Sequence, residues 1–377
     1  MMKRNILAVV IPALLVAGAA NAAEVYNKNG NKLDLYGKVT GERNFNTSGK
    51  SSGSSDGSYG QIGFKGETQI NSDLTGFGQW EYRSKAKNPE GAQDNVTRLA
   101  FAGVKIADAG SLSYGRNYGI VYDVESYTDM APSFSGETWG GAYVDNFMTS
   151  RTTGVLTYRN SNFFGLVDGL NFGIQYQGKN DRSNPAKANG DGFGYSVGYD
   201  FAEGLSLIGA YSNAKRLDVQ KNAQNNSDRA EAWALGTKYD ANNIYLAAVY
   251  AETRNLSMLS NSQFISTAPD AVNFFNVAKK TQNIELIAQY QFDFGLRPSI
   301  SYVQSKGKRL TATQDFAGGN ADLAKYITAG TYYYFNKNFN VYADYRFNLL
   351  SDSEGAKTGG GWVGTDNQAT LGVTYQF

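Results

Sequence analysis

Between Tyr118 and Arg151 the sequence places five carboxylates, Asp123, Glu125, Asp129, Glu137 and Asp145, and no lysine or arginine. Clustered carboxylates can do two kinds of chemistry. A pair can divide general acid and general base work. A one-signed cluster can instead set the field felt by passing ions. The rest of the chain narrows the choice. It contains no His and no Cys. A Ser-His-Asp triad, a histidine base, a His-bearing zinc site and disulfides are therefore excluded. No Gly-x-Ser-x-Gly motif stands where a strand meets a helix, as a nucleophile elbow requires. Carboxylate-only hydrolysis is the enzymatic route left open, and no cofactor is expected.

The same stretch holds Pro132 and the aromatics Tyr122, Tyr127, Phe134, Trp139, Tyr143 and Phe147. Loops longer than about 12–15 residues without structure of their own are usually functional or disordered. Six aromatics give this one something to bury, so an ordered acidic loop is expected. Regular alternation flanks it, in Leu112-Ser113-Tyr114-Gly115 before and from Arg151 to Arg159 after.

That alternation recurs along the chain. In Leu170–Lys179 one face reads Leu170, Phe172, Ile174, Tyr176, and the other Asn171, Gly173, Gln175, Gln177, Lys179. Lys32–Glu42, Asn283–Phe292, Phe339–Phe347 and the final residues to Phe377 behave alike. Period-two patterning denotes strands with one apolar face. A soluble sandwich shows it too, but here the polar faces stay polar over about ten residues, the length of a tilted membrane-spanning strand. Aromatics recur near strand ends, as in interfacial girdles. Short turns (71–73, 107–110, 203–204, 240–243, 293–295, 336–338) alternate with long polar loops (45–58, 180–190, 215–228, 254–279, 305–322, 351–365). The count predicts an all-β fold: a sixteen-stranded antiparallel transmembrane barrel, too wide for side chains to fill.

Residues 1–22 read as a secretory signal, with Lys3 and Arg4, an apolar run from Ile6 to Ala20, and the small-x-small Ala20-Asn21-Ala22. The expected organisation is a signal peptide, 1–22, and one barrel domain, 23–377. Losing Lys3 and Arg4 turns 35 basic and 34 acidic residues into 33 and 34. That balance gives no support for nucleic-acid binding. With 26 Tyr, 21 Phe, 43 Gly and a negative mean hydropathy, the composition suits a barrel apolar only outside.

Several segments resemble the general diffusion porins of enterobacterial outer membranes. They include Leu35-Tyr36-Gly37-Lys38, Phe64-Lys65-Gly66-Glu67-Thr68-Gln69-Ile70, Trp80-Glu81-Tyr82, Thr97-Arg98-Leu99-Ala100-Phe101-Ala102-Gly103, Tyr114-Gly115-Arg116-Asn117-Tyr118 and Phe292-Asp293-Phe294-Gly295-Leu296-Arg297-Pro298. The resemblance implies a homotrimer of barrels in outer-membrane lipid and lipopolysaccharide, each narrowed by an inward-folded third external loop and passing ions and small hydrophilic solutes. It places Asp129, Glu137 and Tyr122 on the loop side of the constriction and Lys38, Arg98 and Arg151 on the wall. Ser133 stands where the family carries Glu, and Gln61 where it carries Arg, so one charge of each sign is expected to be missing. Arg116, by strand parity, points outward, where an unpaired charge costs about 2–4 kcal/mol at mid-membrane. The resemblance pairs it with Glu90, on a second loop that latches over the next subunit. The five loop carboxylates imply a mild cation preference. The alternative is a sugar-specific channel, with Trp139, Tyr122 and Tyr143 as stacking platforms. A plugged, purely structural barrel would conduct nothing.

Overall fold

The computed structural model describes residues 23–48, 54–92, 94–136, 138–139, 144–221, 225–259, 277–311, 316–356 and 363–377. Sixteen antiparallel strands form its wall. They are β1 (Asn31–Asn46), β2 (Tyr59–Gln69), β3 (Leu74–Lys85), β4 (Asn95–Ile106), β5 (Gly110–Tyr118), β6 (Arg151–Asn160), β7 (Leu170–Gln177) and β8 (Gly192–Asp200). The second half holds β9 (Leu205–Lys215), β10 (Arg229–Ala241), β11 (Ile244–Arg254), β12 (Lys280–Tyr290), β13 (Leu296–Leu310), β14 (Gly319–Asn336), β15 (Phe339–Asn348) and β16 (Gln368–Gln376).

Each strand pairs with its neighbour in sequence, and β16 pairs with β1 from Gln368↔Asn46 to Gln376↔Lys38. The sheet is thereby closed and has no free edge. A further strand, Ala23–Lys28, pairs with the start of β1 from Ala23↔Leu35. It lies in line with β16, whose terminal Phe377 exchanges two 3.0 Å backbone hydrogen bonds with Gly37.

The two faces separate as the alternation requires. On β7, Ile174 and Tyr176 are 53% and 48% exposed, while Gln175 and Gln177 are 0% and 1% exposed. Val39, Phe64, Tyr114, Leu235, Ile300 and Leu371 likewise face outward. Such a belt suits hydrocarbon, not water. Aromatic contacts cluster at the short-turn ends, as in Tyr290–Phe292 and Tyr333–Phe335 with centroids 4.7 and 4.9 Å apart. Among the described residues no helix is long and apolar enough to cross a membrane.

One expected loop is mostly sheet. Within 305–322, Lys306 pairs with Asp322, Gly307 with Ala321 and Leu310 with Gly319. Its serines, lysines and glycines read as loop, but a neighbour in register extends β13 and β14 outward all the same.

Candidate functional site: a charged loop across the barrel

The loop between β5 and β6 folds into the barrel, and the inner wall is shaped to receive it. Ile120, Val121, Val124, Tyr127, Trp139, Phe147 and Met148 are nearly or wholly buried. They pack with a shelf of small inward residues: Ala210, Ala214, Ala230, Ala232, Ala234 and Ala251. Glycines complete it. A Cβ at Gly173 would sit 2.9 Å from Ile120 Cδ1, and one at Gly194 would sit 2.6 Å from Ile120 Cγ2. This run of inward Ala and Gly on β7 to β11 was visible in the sequence. Polarity alone does not mark it, because small residues score neither way.

Hydrogen bonds carry the loop across the lumen. The Ile120 N–H donates to Gln175 Oε1 at 2.9 Å. Tyr245 Oη donates to the Tyr127 carbonyl at 2.7 Å, and Gln289 Nε2 to that of Met130 at 2.8 Å. Thr128 and Thr138 each donate a hydroxyl at 2.6 Å to the buried carboxylate of Glu285 on β12. At the far side Asp344 Oδ2 on β15 accepts the N–H groups of Ser133 at 3.0 Å and Phe134 at 3.2 Å. Ser133 therefore serves through its backbone.

The loop carboxylates divide by role. Asp123 forms a two-pronged pair with Arg159 at 2.8 and 2.8 Å and also accepts from Ser196. Asp145 pairs with Arg116 at 2.5 Å and accepts from Thr153 at 2.9 Å. These two fasten the ends of the loop. Glu125 is fully buried. Asp129, half-buried, faces the interior, accepting hydrogen bonds from Tyr122 and, at 2.7 Å, from Ser135. Glu137 lies outside the described residues, as does Tyr143.

Arg116 therefore finds its counter-charge within its own chain. Its guanidinium also donates to the Thr97 carbonyl at 2.9 Å and to Thr153 at 2.7 Å. Strand parity could not find Asp145, because β5 and β6 slip register between Gly115 and Asn117. Glu90 is exposed.

On the wall, Lys38 on β1 sits opposite Gln61 on β2, which sits opposite Arg83 on β3. Lys38 Nζ and the Arg83 guanidinium share the Tyr59 ring, 5.6 and 4.0 Å from its centroid. Arg98 pairs with Glu81 at 2.5 Å, and Glu81 also accepts from Tyr36 at 3.0 Å. Arg151 lies within electrostatic reach of Arg98, Tyr118 and Tyr122. Tyr122 stacks on Tyr118 with centroids 4.8 Å apart and bonds Asp129, so it links the cationic wall to the acidic loop. Arg83 is the wall cation that the sequence reading did not name.

The geometry leaves the rival chemistries poorly served. Trp139 is fully buried and Tyr122 is 5% exposed, so neither offers an open ring for a sugar to stack on. No group of three metal-binding side chains exists among the described residues.

A closed barrel, apolar outside and crossed within by a strapped, charged loop, is a membrane diffusion channel. Comparison with known proteins agrees. The sequence pattern of Gram-negative porins matches residues 28–377. Outer membrane porin F of Salmonella typhimurium (strain SL1344) is 65% identical, with all of both chains covered. Outer membrane protein F of Serratia marcescens is 56% identical, again over all of both. The structure of Salmonella typhi OmpF in complex with daunomycin superposes with a TM-score of 0.85 at 62% identity, over 94% of this chain and 100% of that one. The anion-selective porin from Comamonas acidovorans, at 16% identity and TM-score 0.66, covering 92% of this chain and 100% of its own, shares the fold. The chain belongs to the Gram-negative porin family. It is an outer-membrane porin for general diffusion, a passive channel and not an enzyme.

Proposed function

We propose that the channel is narrowed between Asp129, with Glu137, on the loop and Lys38, Arg98 and Arg151 on the wall, and that it prefers cations mildly. The observation that carries this is the strapping of the loop from Gln175 across to Asp344, which holds Asp129 over the interior. The preference is mild because Asp129 is opposed by a cationic wall and salt screens charges beyond about 10 Å at 0.1 M. Pairing with Glu81 offsets Arg98, which leaves part of that wall neutralised. Planar-bilayer recording in a KCl gradient tests the reading. Asp129→Asn with Glu137→Gln moves the reversal potential toward anions, and Lys38→Gln with Arg151→Gln moves it toward cations. A potential unmoved by both pairs removes the constriction.

The working assembly is a homotrimer in lipid and lipopolysaccharide, with Glu90 of the partner subunit adding a second acid to Arg116. Exposure of Glu90 and the outward apolar belt support it. The exported protein begins at Ala23, after removal of residues 1–22.

A further inference from the structure

We infer that Arg83 is a selectivity-determining cation of this pore and that Gln61 is its positioning residue. The inference rests on the reading of this wall as the cationic side of the constriction. Lys38, Gln61 and Arg83 occupy one cross-strand row on β1, β2 and β3. Both Nε and Nη2 of Arg83 donate to the single oxygen Gln61 Oε1, at 3.0 and 2.7 Å. The guanidinium also lies 4.0 Å from the Tyr59 centroid. An amide and a ring face thus fix a charge that would otherwise swing freely on a long side chain.

The row shows why the charge sits on the outer strand. Like charges directly opposite on neighbouring strands destabilise a sheet. An arginine at position 61 beside Arg83 would place three cations side by side. With glutamine in the middle, the cation moves one strand along, about 4.8 Å, toward Arg98 and Arg151, whose charges it feels. Among the described residues Arg98 has a carboxylate ion-pair partner, Glu81, and no ion pair joins Lys38, Arg83 or Arg151 to a carboxylate. Arg83 is therefore one of three wall cations without a carboxylate ion pair among the described residues. The solutes it selects for are small anions, carboxylates and phosphate esters among them.

Reversal potentials of the reconstituted full-length porin in a KCl gradient test this. Two unit charges about 5 Å apart in water interact strongly enough to change the local concentration of one ion about fourfold before salt screening. Arg83→Gln is accordingly expected to raise the potassium-to-chloride permeability ratio by about two- to fourfold near 0.1 M salt, less at higher salt. The double variant Gln61→Arg with Arg83→Gln returns the charge to the middle strand and is expected to restore most of the original ratio. Gln61→Leu keeps every charge and removes only the seat, so a shift toward cations there reports position, which a structural brace would not give. Arg83→Lys checks folding, because it keeps the charge without the fork. An unchanged ratio in Arg83→Gln, with Lys38→Gln plus Arg151→Gln still shifting it, overturns the inference and leaves the constriction standing. No shift in either removes the constriction itself.

Discussion

Glu285 is the anchor on which the position of the loop turns. Replacing it with Ala removes the acceptor for Thr128 and Thr138, both bonded at 2.6 Å and both buried. The two losses are unequal. The Thr128 hydroxyl can fall back on the Glu125 carbonyl, 3.2 Å away. Thr138, 0% exposed, has no such recourse among its described hydrogen bonds and is left with an unmet donor. A partly replaced hydrogen bond costs about 1 kcal/mol and a stranded buried donor about 1–3 kcal/mol, so the docked loop loses about 3 kcal/mol in all. That is about a hundredfold in the ratio of docked to undocked loop. Glu285→Gln keeps one oxygen and presents an amide to a hydroxyl that can accept, so it costs far less. Single-channel recording reads the difference. Glu285→Ala shows frequent closures and excess current noise, and Glu285→Gln stays near the parent. Heat resistance of the barrel changes little, because the sixteen-strand ladder is untouched. A quiet Glu285→Ala channel of parental conductance would refute the reasoning.

Three other outcomes follow from the geometry. Gly194→Val drives a side chain into Ile120, which already lies 2.6 Å from the first added carbon; overpacking of this kind costs about 1–3 kcal/mol, and limited proteolysis of the loop speeds up while the barrel persists. A cysteine at Asn44, inward and half-buried, reacts with a membrane-impermeant thiol reagent, and one at Leu371, 57% exposed and outward, does not; reversed labelling would mean the register is wrong. Arg116→Ala lowers the temperature at which the oligomer dissociates on gels by stranding Asp145, and Glu90→Ala lowers it further only in so far as Glu90 acts independently, so strictly additive losses would separate the two residues.

The strands were legible because membrane β-structure writes its two environments into alternate residues. Leu170 to Gln177 needed only that. The loop was legible as an interruption, and its aromatics proved to be its buried side. Fastening was not legible. Asp123 and Asp145 looked like pore charges, yet they pair with Arg159 and Arg116, partners fixed by strand register and by a bulge that local spacing cannot show. Arg83 was hidden for the same reason. Its strand gives it an inward face, but only the pairing Gln61↔Arg83 shows that it stands beside the position where a cation was missed. The extension of β13 and β14 through residues 305–322 reverses a composition argument, because a paired neighbour outweighs weak intrinsic preference.

The seam between β16 and β1 joins residues 322 positions apart, as in the bond from Gln368 to Asn46. Every other backbone pairing of the sixteen wall strands joins strands that are neighbours in sequence and can zip in turn. Closing so large a loop in a free chain costs about 4 kcal/mol more than closing a four-residue hairpin. The seam therefore forms last, after the hairpins have shortened the path, and only when its final strand has been delivered. Until then the sheet is an open ribbon with two unsatisfied edges, each a template for pairing with another chain. A cell making this protein must escort that ribbon, shielded from its siblings, until the ends meet.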